Sequence, residues 1–135
     1  CMSETFEIAT AYSVTSVYRI FKNLNPELVP VRMEISNDAL GGSCELDFGL
    51  HKSGIAGAAK DADVFSDGYS PVSAAKKQDG MNTPAIEHVG IRALYEHAGD
   101  SVSSKESGYD LTATLNAVAD SAGTITVDLW VKNVG

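Results

Sequence analysis

The chain predicts an all-β fold, an antiparallel β-sandwich or jelly roll with one short helix at about 84–97. Three observations carry that expectation. Four stretches alternate apolar and polar residues with period two: Val29-Val31-Met33-Ile35, Cys44-Leu46-Phe48-Leu50, Tyr109-Leu111-Ala113-Leu115 and Ile125-Val127-Leu129-Val131. That is the pattern of strands with one buried and one wet face. Turn-forming residues punctuate them, at Asn23 to Pro26, Asn37-Asp38, Gly41-Gly42 and Asp120 to Gly123. Only one stretch combines a helical stripe with start and stop signals. At 135 residues the chain is expected to be one domain, burying roughly two-thirds of its unfolded surface in one core. No internal repeat or linker divides it.

Taken in order, residues 1–12 read as an N-terminal arm or edge strand, with Phe6 and Ile8 on one side. Residues 14–22 are apolar on both faces, Tyr18 and Ile20 on one and Val17 and Phe21 on the other. Such a strand is expected to be central or covered by a partner. In the strand at 28–36, Pro30 cannot donate to a ladder, which places it at a strand start or a sheet edge. The strand at 43–51 comes next. Residues 52–82, rich in Gly, Ala, Ser and Asp, read as a long loop with one or two helical turns between Ala56 and Phe65. The helix is then marked by Thr83 to cap it, Pro84 at its first position and Gly99 to stop it. Ile86, Val89, Ala93 and Leu94 form its core stripe, with Glu87, Arg92 and Glu96 outside. A polar loop at 100–108 leads to two closing strands joined by a tight turn.

Composition narrows the function. The net charge is −8, with 10 basic residues scattered along the chain, where nucleic-acid binding needs them clustered. No apolar run approaches the ~18 residues of a membrane span. No basic-then-apolar segment opens the chain, so no signal peptide is expected in it. Cys1 and Cys44 form no disulfide framework. Cys44 lies on an apolar strand face as a small hydrophobe, which fits an intracellular assembly compartment.

The candidate chemistry fails piece by piece. Asp61, Asp63 and Asp67 with Gly68 resemble the start of a calcium loop, but position five is Phe65 and position twelve is Val72, where oxygen ligands are required. His51, His88 and His97 show no ligand spacing and read as surface or capping residues. No Gly-x-Ser-x-Gly elbow is present. Glu45 and Asp47 share the solvent face of their strand. No catalytic residue, cofactor or metal site is therefore expected. One residue stands apart. Trp130 points away from the core face of the last strand, among Thr126, Asp128 and Lys132. An outward Trp of this kind is an interface anchor or is covered within the domain.

The strings Ser16-Val17-Tyr18-Arg19-Ile20-Phe21, Val31 to Leu40, Cys44 to Leu50, Asp61 to Phe65, Tyr109 to Thr112 and Ala122 to Val127 resemble a recurring pattern in small structural proteins of tailed bacteriophages. The nearest family is the jelly-roll capsid cement, or decoration, proteins of the Bordetella phage type. The resemblance is weakest over 52–82. It implies a virion protein on the outer capsid surface that links major capsid protein subunits. It also implies a self-association face and no enzymatic activity. Trp130 and the two-sided 14–22 strand predict a homodimer, and the composition predicts no nucleic-acid or membrane partner. Phe6, Ile8, Tyr18, Phe21 and Trp130 are the expected interface residues. The rival readings are a carbohydrate- or ligand-binding β-sandwich module of a phage tail or surface protein, and a small hydrolase, which the missing triad disfavours.

Overall fold

Among the described residues, eight strands obey one pairing rule. They are β1 (Met2–Ile8), β2 (Val17–Leu24), β3 (Leu28–Asn37), β4 (Glu45–Lys52), β5 (Ala59–Tyr69), β6 (Ala75–Asp79), β7 (Tyr109–Ala117) and β8 (Gly123–Asn133). β1 pairs with β8, β2 with β7, β3 with β6 and β4 with β5, all antiparallel. This is one long hairpin with its tip between β4 and β5. It is rolled up so that β3 also meets β8 and β4 meets β7. The result is two four-stranded sheets, β1-β8-β3-β6 and β2-β7-β4-β5, the arrangement of a jelly roll. The structure, a computed structural model, describes residues 1–54, 56–83 and 88–133.

The alternating faces meet between the sheets. Ile8, Met33, Ile35, Ile125, Val127 and Leu129 come from the first sheet. Leu46, Phe48, Leu50, Leu111 and Leu115 come from the second, and all eleven are fully buried. The strand alternation therefore reads correctly for three of the four stretches. In the fourth, Val31 is 40% exposed. Register shifts between Pro30 and Arg32, and the bulge turns Val31 outward. Pro30 is tolerated because β6 pairs with β3 only from Glu34 to Asn37, so no ladder partner requires an N–H from Pro30 on that side.

Other expectations are corrected. The strand expected at 14–22 begins at Val17, since Thr15 takes a left-handed φ of 76°. It is an edge strand, not a central one. A register shift between Arg19 and Phe21 lets the neighbours Ile20 and Phe21 both face the core. The arm is not free either, because β1 is hydrogen-bonded along β8. The 52–82 loop contains β5 and β6. Their signal is weak because β6 (Ala-Lys-Lys-Gln-Asp) has no apolar face and β5 carries a wide bulge. Phe48 pairs with Ser66 but Leu50 with Asp61. The bulged backbone lies on Gly49, where a Cβ would come within 2.2 Å of the Asp61 carbonyl oxygen. Only glycine admits that approach.

The helix is a single turn, α1 (Leu94–His97). Pro84, Ile86 and Glu87 lie outside the described residues. Gly90 has a φ of +78° and Ala93 is extended, so no helix runs through them. α1 still ends before Gly99, and it still buries Leu94. The described parts of the chain between β6 and β7, which carry α1, are tied to the sandwich. These ties include the Thr83 N–H to the Phe65 carbonyl (3.1 Å), Gly90 N–H to Pro30 (3.1 Å) and Tyr95 N–H to Pro26 (3.2 Å).

Candidate functional site

The outer face of the second sheet should be wet, yet its centre is dry. Asp110 is 1% exposed, Thr112 0% and His51 6%. The connection after β4 folds back over them and Arg19 stitches it down. The Arg19 guanidinium donates to Asp110 Oδ2 (2.7 Å), to the Lys52 carbonyl (3.1 Å) and to the Gly57 carbonyl (2.9 Å). The other Asp110 oxygen accepts the Asn23 N–H at 2.8 Å. Burial pushes the Asp110 carboxyl up. The Asn23 N–H, the Arg19 guanidinium and the Ser53 hydroxyl outweigh it and leave it below the usual carboxylate range. A cleft of about 500 Å³ opens beside this pair, lined by Val17, Arg19, Lys22, Ser53, Gly54 and Asp110. That volume suits a small ligand.

His51 Nδ1 lies 2.8 Å from Thr112 Oγ1, and His51 is paired with Asp110 across the strands. Hydroxyl, imidazole and carboxylate are thus neighbours, but they are not aligned for nucleophilic chemistry. Thr112 Oγ1 donates to the Gly49 carbonyl (3.4 Å) and is wholly buried, out of reach of a substrate. Burial, and then Arg19, hold the His51 imidazole below its usual range, with Asp110 opposing. The network acts as a clamp joining β2, β4, β7 and the 53–58 connection.

A second polar group lies on the same sheet. Carboxylate oxygens of Asp47, Asp63 and Asp67 come within 4.8 Å of one another. The sequence pointed to Asp61 in place of Asp47. Asp61 instead pairs with Leu50 across the strands, and β4 supplies Asp47. Burial raises the Asp47 carboxyl, while the Gly68 N–H and Asn116 lower it and Asp67 and Asp63 add repulsion. Three carboxylates are a partial set for a hard cation, which takes six to eight oxygens when it is calcium.

The expected interface residues separate into two groups. Ile8 (0%) and Phe21 (6%) belong to the core and cannot anchor a partner without unfolding the domain. Phe6 and Tyr18 are half-buried against each other, with ring centroids 5.0 Å apart. Burial pushes the Tyr18 hydroxyl up to about 12. Trp130 is half-buried on the outer face of the first sheet, with the Arg32 guanidinium 5.8 Å from its ring centre. The histidines also depart from expectation, since His51 and His97 are both buried. Arg19, His51 and Asp110 escaped sequence reasoning because they meet only through strand pairing. The one trace of them is a charge on an otherwise apolar strand.

No helix among the described residues is long and apolar enough to cross a membrane. No family model, no curated protein and no solved structure matches this chain.

Proposed function

We propose that this protein is a structural component of a tailed-phage virion. In this reading it binds the outside of the assembled capsid and links major capsid protein subunits. The observation that carries the reading is the strand order, a complete jelly roll of the kind found in viral capsid and lectin domains. It agrees with the fold implied by the resemblance to capsid cement proteins. The dry Thr112–His51 pair and the Arg19–Asp110 pair, spent on each other, add support, since neither leaves a group free for chemistry.

The mechanism is linkage. A protein that binds the assembled lattice stabilises that state by mass action, and repeated weak contacts on one lattice add up. Residues 2–8 do not form a free arm, because β1 is the edge strand of the first sheet, paired along β8, and Ile8 lies in the core. Three of the four sheet edges are poor templates. β6 is short and carries Lys76 and Lys77, and β2 and β5 are bulged. Docking falls instead to the sandwich end formed by the β1–β2 and β7–β8 connections. There Tyr12, Val14 and Val118 are 44%, 48% and 44% exposed. In the test, recombinant protein is added to particles stripped of it, and occupancy and heat resistance are measured. Saturable binding with raised heat resistance is expected, and Tyr12→Ser with Val14→Ser should lower occupancy while the monomer unfolds as before. Particles that never contain the chain and never bind it overturn the reading.

The alternative is a carbohydrate- or ligand-binding module, and the cleft beside Arg19 and Asp110 favours it. No aromatic residue lines that cleft, so it lacks the stacking face that sugars use. Saturable binding of a glycan that Lys22→Ala abolishes would move the assignment there.

A further inference from the structure

We propose that the 88–108 segment is an acid-sensitive latch: the α1 turn stays seated on the sandwich only while His97 is uncharged. His97 is 6% exposed and its Nε2 is buried without a hydrogen-bond partner. Its ring packs 5.4 Å from that of Phe65 on β5. Met81, Leu94 and Ala98, in the same apolar core, are uncharged. A neutral imidazole tolerates this place with one idle nitrogen. An imidazolium would carry a second N–H donor with no acceptor, and a charge with no water.

The charged groups that bear on the ring, among the described residues, all come from its own segment. Arg92 and His88 repel a proton there and Glu96 attracts one. The Glu96 carboxylate is engaged, accepting the Ala93 N–H at 3.0 Å. From β5 comes only the Phe65 ring, which lies within cation–π reach. Burial dominates, with Arg92 and His88 next, and together they bring the imidazole down to about 4 from an ordinary 6.5. A folded value below the unfolded one means that the stabilisation is complete above pH 6.5. It drains away as the pH falls from 6.5 towards 4.

The opening is local because, among the described residues, 88–108 joins the sandwich through no strand ladder. Its other ties are single contacts: backbone hydrogen bonds from Gly90 to Pro30, Tyr95 to Pro26 and Ser53 to Gly108, ion pairs of Lys105 with Glu27, Lys60 with Asp100 and Glu106, and Lys52 with Glu106, and the Tyr109 hydroxyl with Asp100 and Glu106. The sheets are paired along most of their length. Elements held by few contacts open below the global unfolding energy.

Hydrogen exchange of the intact chain, corrected for intrinsic rates, tests this between pH 7 and pH 5. The opening constant of the 88–108 segment should rise about 20-fold over that range, while β7 and β8 keep their protection. His97→Leu should abolish the rise. Imidazole titration tracked by NMR gives an independent readout on the unmodified protein. A midpoint well below 6.5 supports the latch. A midpoint near 6.5, protection unchanged at pH 5, or an identical rise in His97→Leu overturns it.

Discussion

Two buried histidines sit in this molecule under opposite arrangements. His51 lies in the clamp on the second sheet, where Thr112 meets its Nδ1 and the Asp110 carboxylate is a neighbour. His97 lies in the latch, against Phe65 and with no partner for Nε2. Both imidazoles are held below their ordinary range, and burial is the first cause of each. The consequences of protonation differ. A proton on His51 arrives beside the Asp110 carboxylate and the Thr112 hydroxyl, although Arg19 repels it. A proton on His97 arrives among apolar side chains, with Arg92 and His88 already repelling it. The difference shows that burial alone does not make an acid switch, and that the polarity of the surroundings decides how far the fold must give way.

The largest effect should come from breaking the clamp. Asp110→Ala strands the Arg19 guanidinium, which is only 14% exposed, and removes the acceptor for the Asn23 N–H. Loss of one partner of a buried ion pair costs about 3–5 kcal/mol, measured as a drop in the urea midpoint at pH 7. The sign with pH comes from the lowered Asp110 carboxyl. Its contribution is present above the ordinary carboxylate value near 3.8 and is lost as the pH falls below it. Acid loss from the Asp110 carboxyl therefore begins where acid loss from the latch ends. A urea midpoint for Asp110→Ala within error of the wild type would show that the clamp contributes nothing and that the comparison is empty.

A smaller substitution turns one histidine into the other. Thr112→Val keeps the shape and removes the hydroxyl, which leaves His51 Nδ1 as unpartnered as His97 Nε2. An unsatisfied buried donor costs about 1–3 kcal/mol. The variant should also lose stability more steeply than the wild type between pH 7 and pH 5. Parallel pH profiles for the two proteins would mean that Asp110 alone governs His51.

The same contrast explains what is legible in the sequence. Period-two alternation exposes β4, β7, β8 and most of β3, because one-sided burial is written locally. β5 and β6 stay hidden, since β6 has no apolar face and the β5 bulge over Gly49 breaks the alternation. The apolar stripe at 84–97 overstates the helix, because the left-handed Gly90 and the extended Ala93 are set by where the segment must cross. Of the acidic group, Asp63 and Asp67 stand out in the sequence, but Asp47 joins them only through β4–β5 pairing. Arg19, His51 and Asp110 lie on three strands brought together by the roll. Neither their contact nor their burial on a nominally wet face has a local signature.

The smallest expected effect concerns the first sheet, whose outer face is wet where the second sheet's centre is dry. Arg32 is 65% exposed at its side chain, pairs with Glu34 at 2.6 Å and covers Trp130. An exposed cation–π contact is worth about 0.5–1 kcal/mol. The Arg32 end of the pair is solvated while the Glu34 side chain is only 8% exposed, so Arg32→Ala should lower the unfolding midpoint less than Asp110→Ala does. It uncovers the Trp130 ring, the outward residue on which the expectation of self-association rests. If the bare ring is what binds, Arg32→Ala strengthens association in sedimentation, and Trp130→Ala abolishes it. If Arg32 belongs to the contact, both substitutions weaken association with little change in monomer stability. A strict monomer at high concentration in the wild type and both variants would remove this face from self-association.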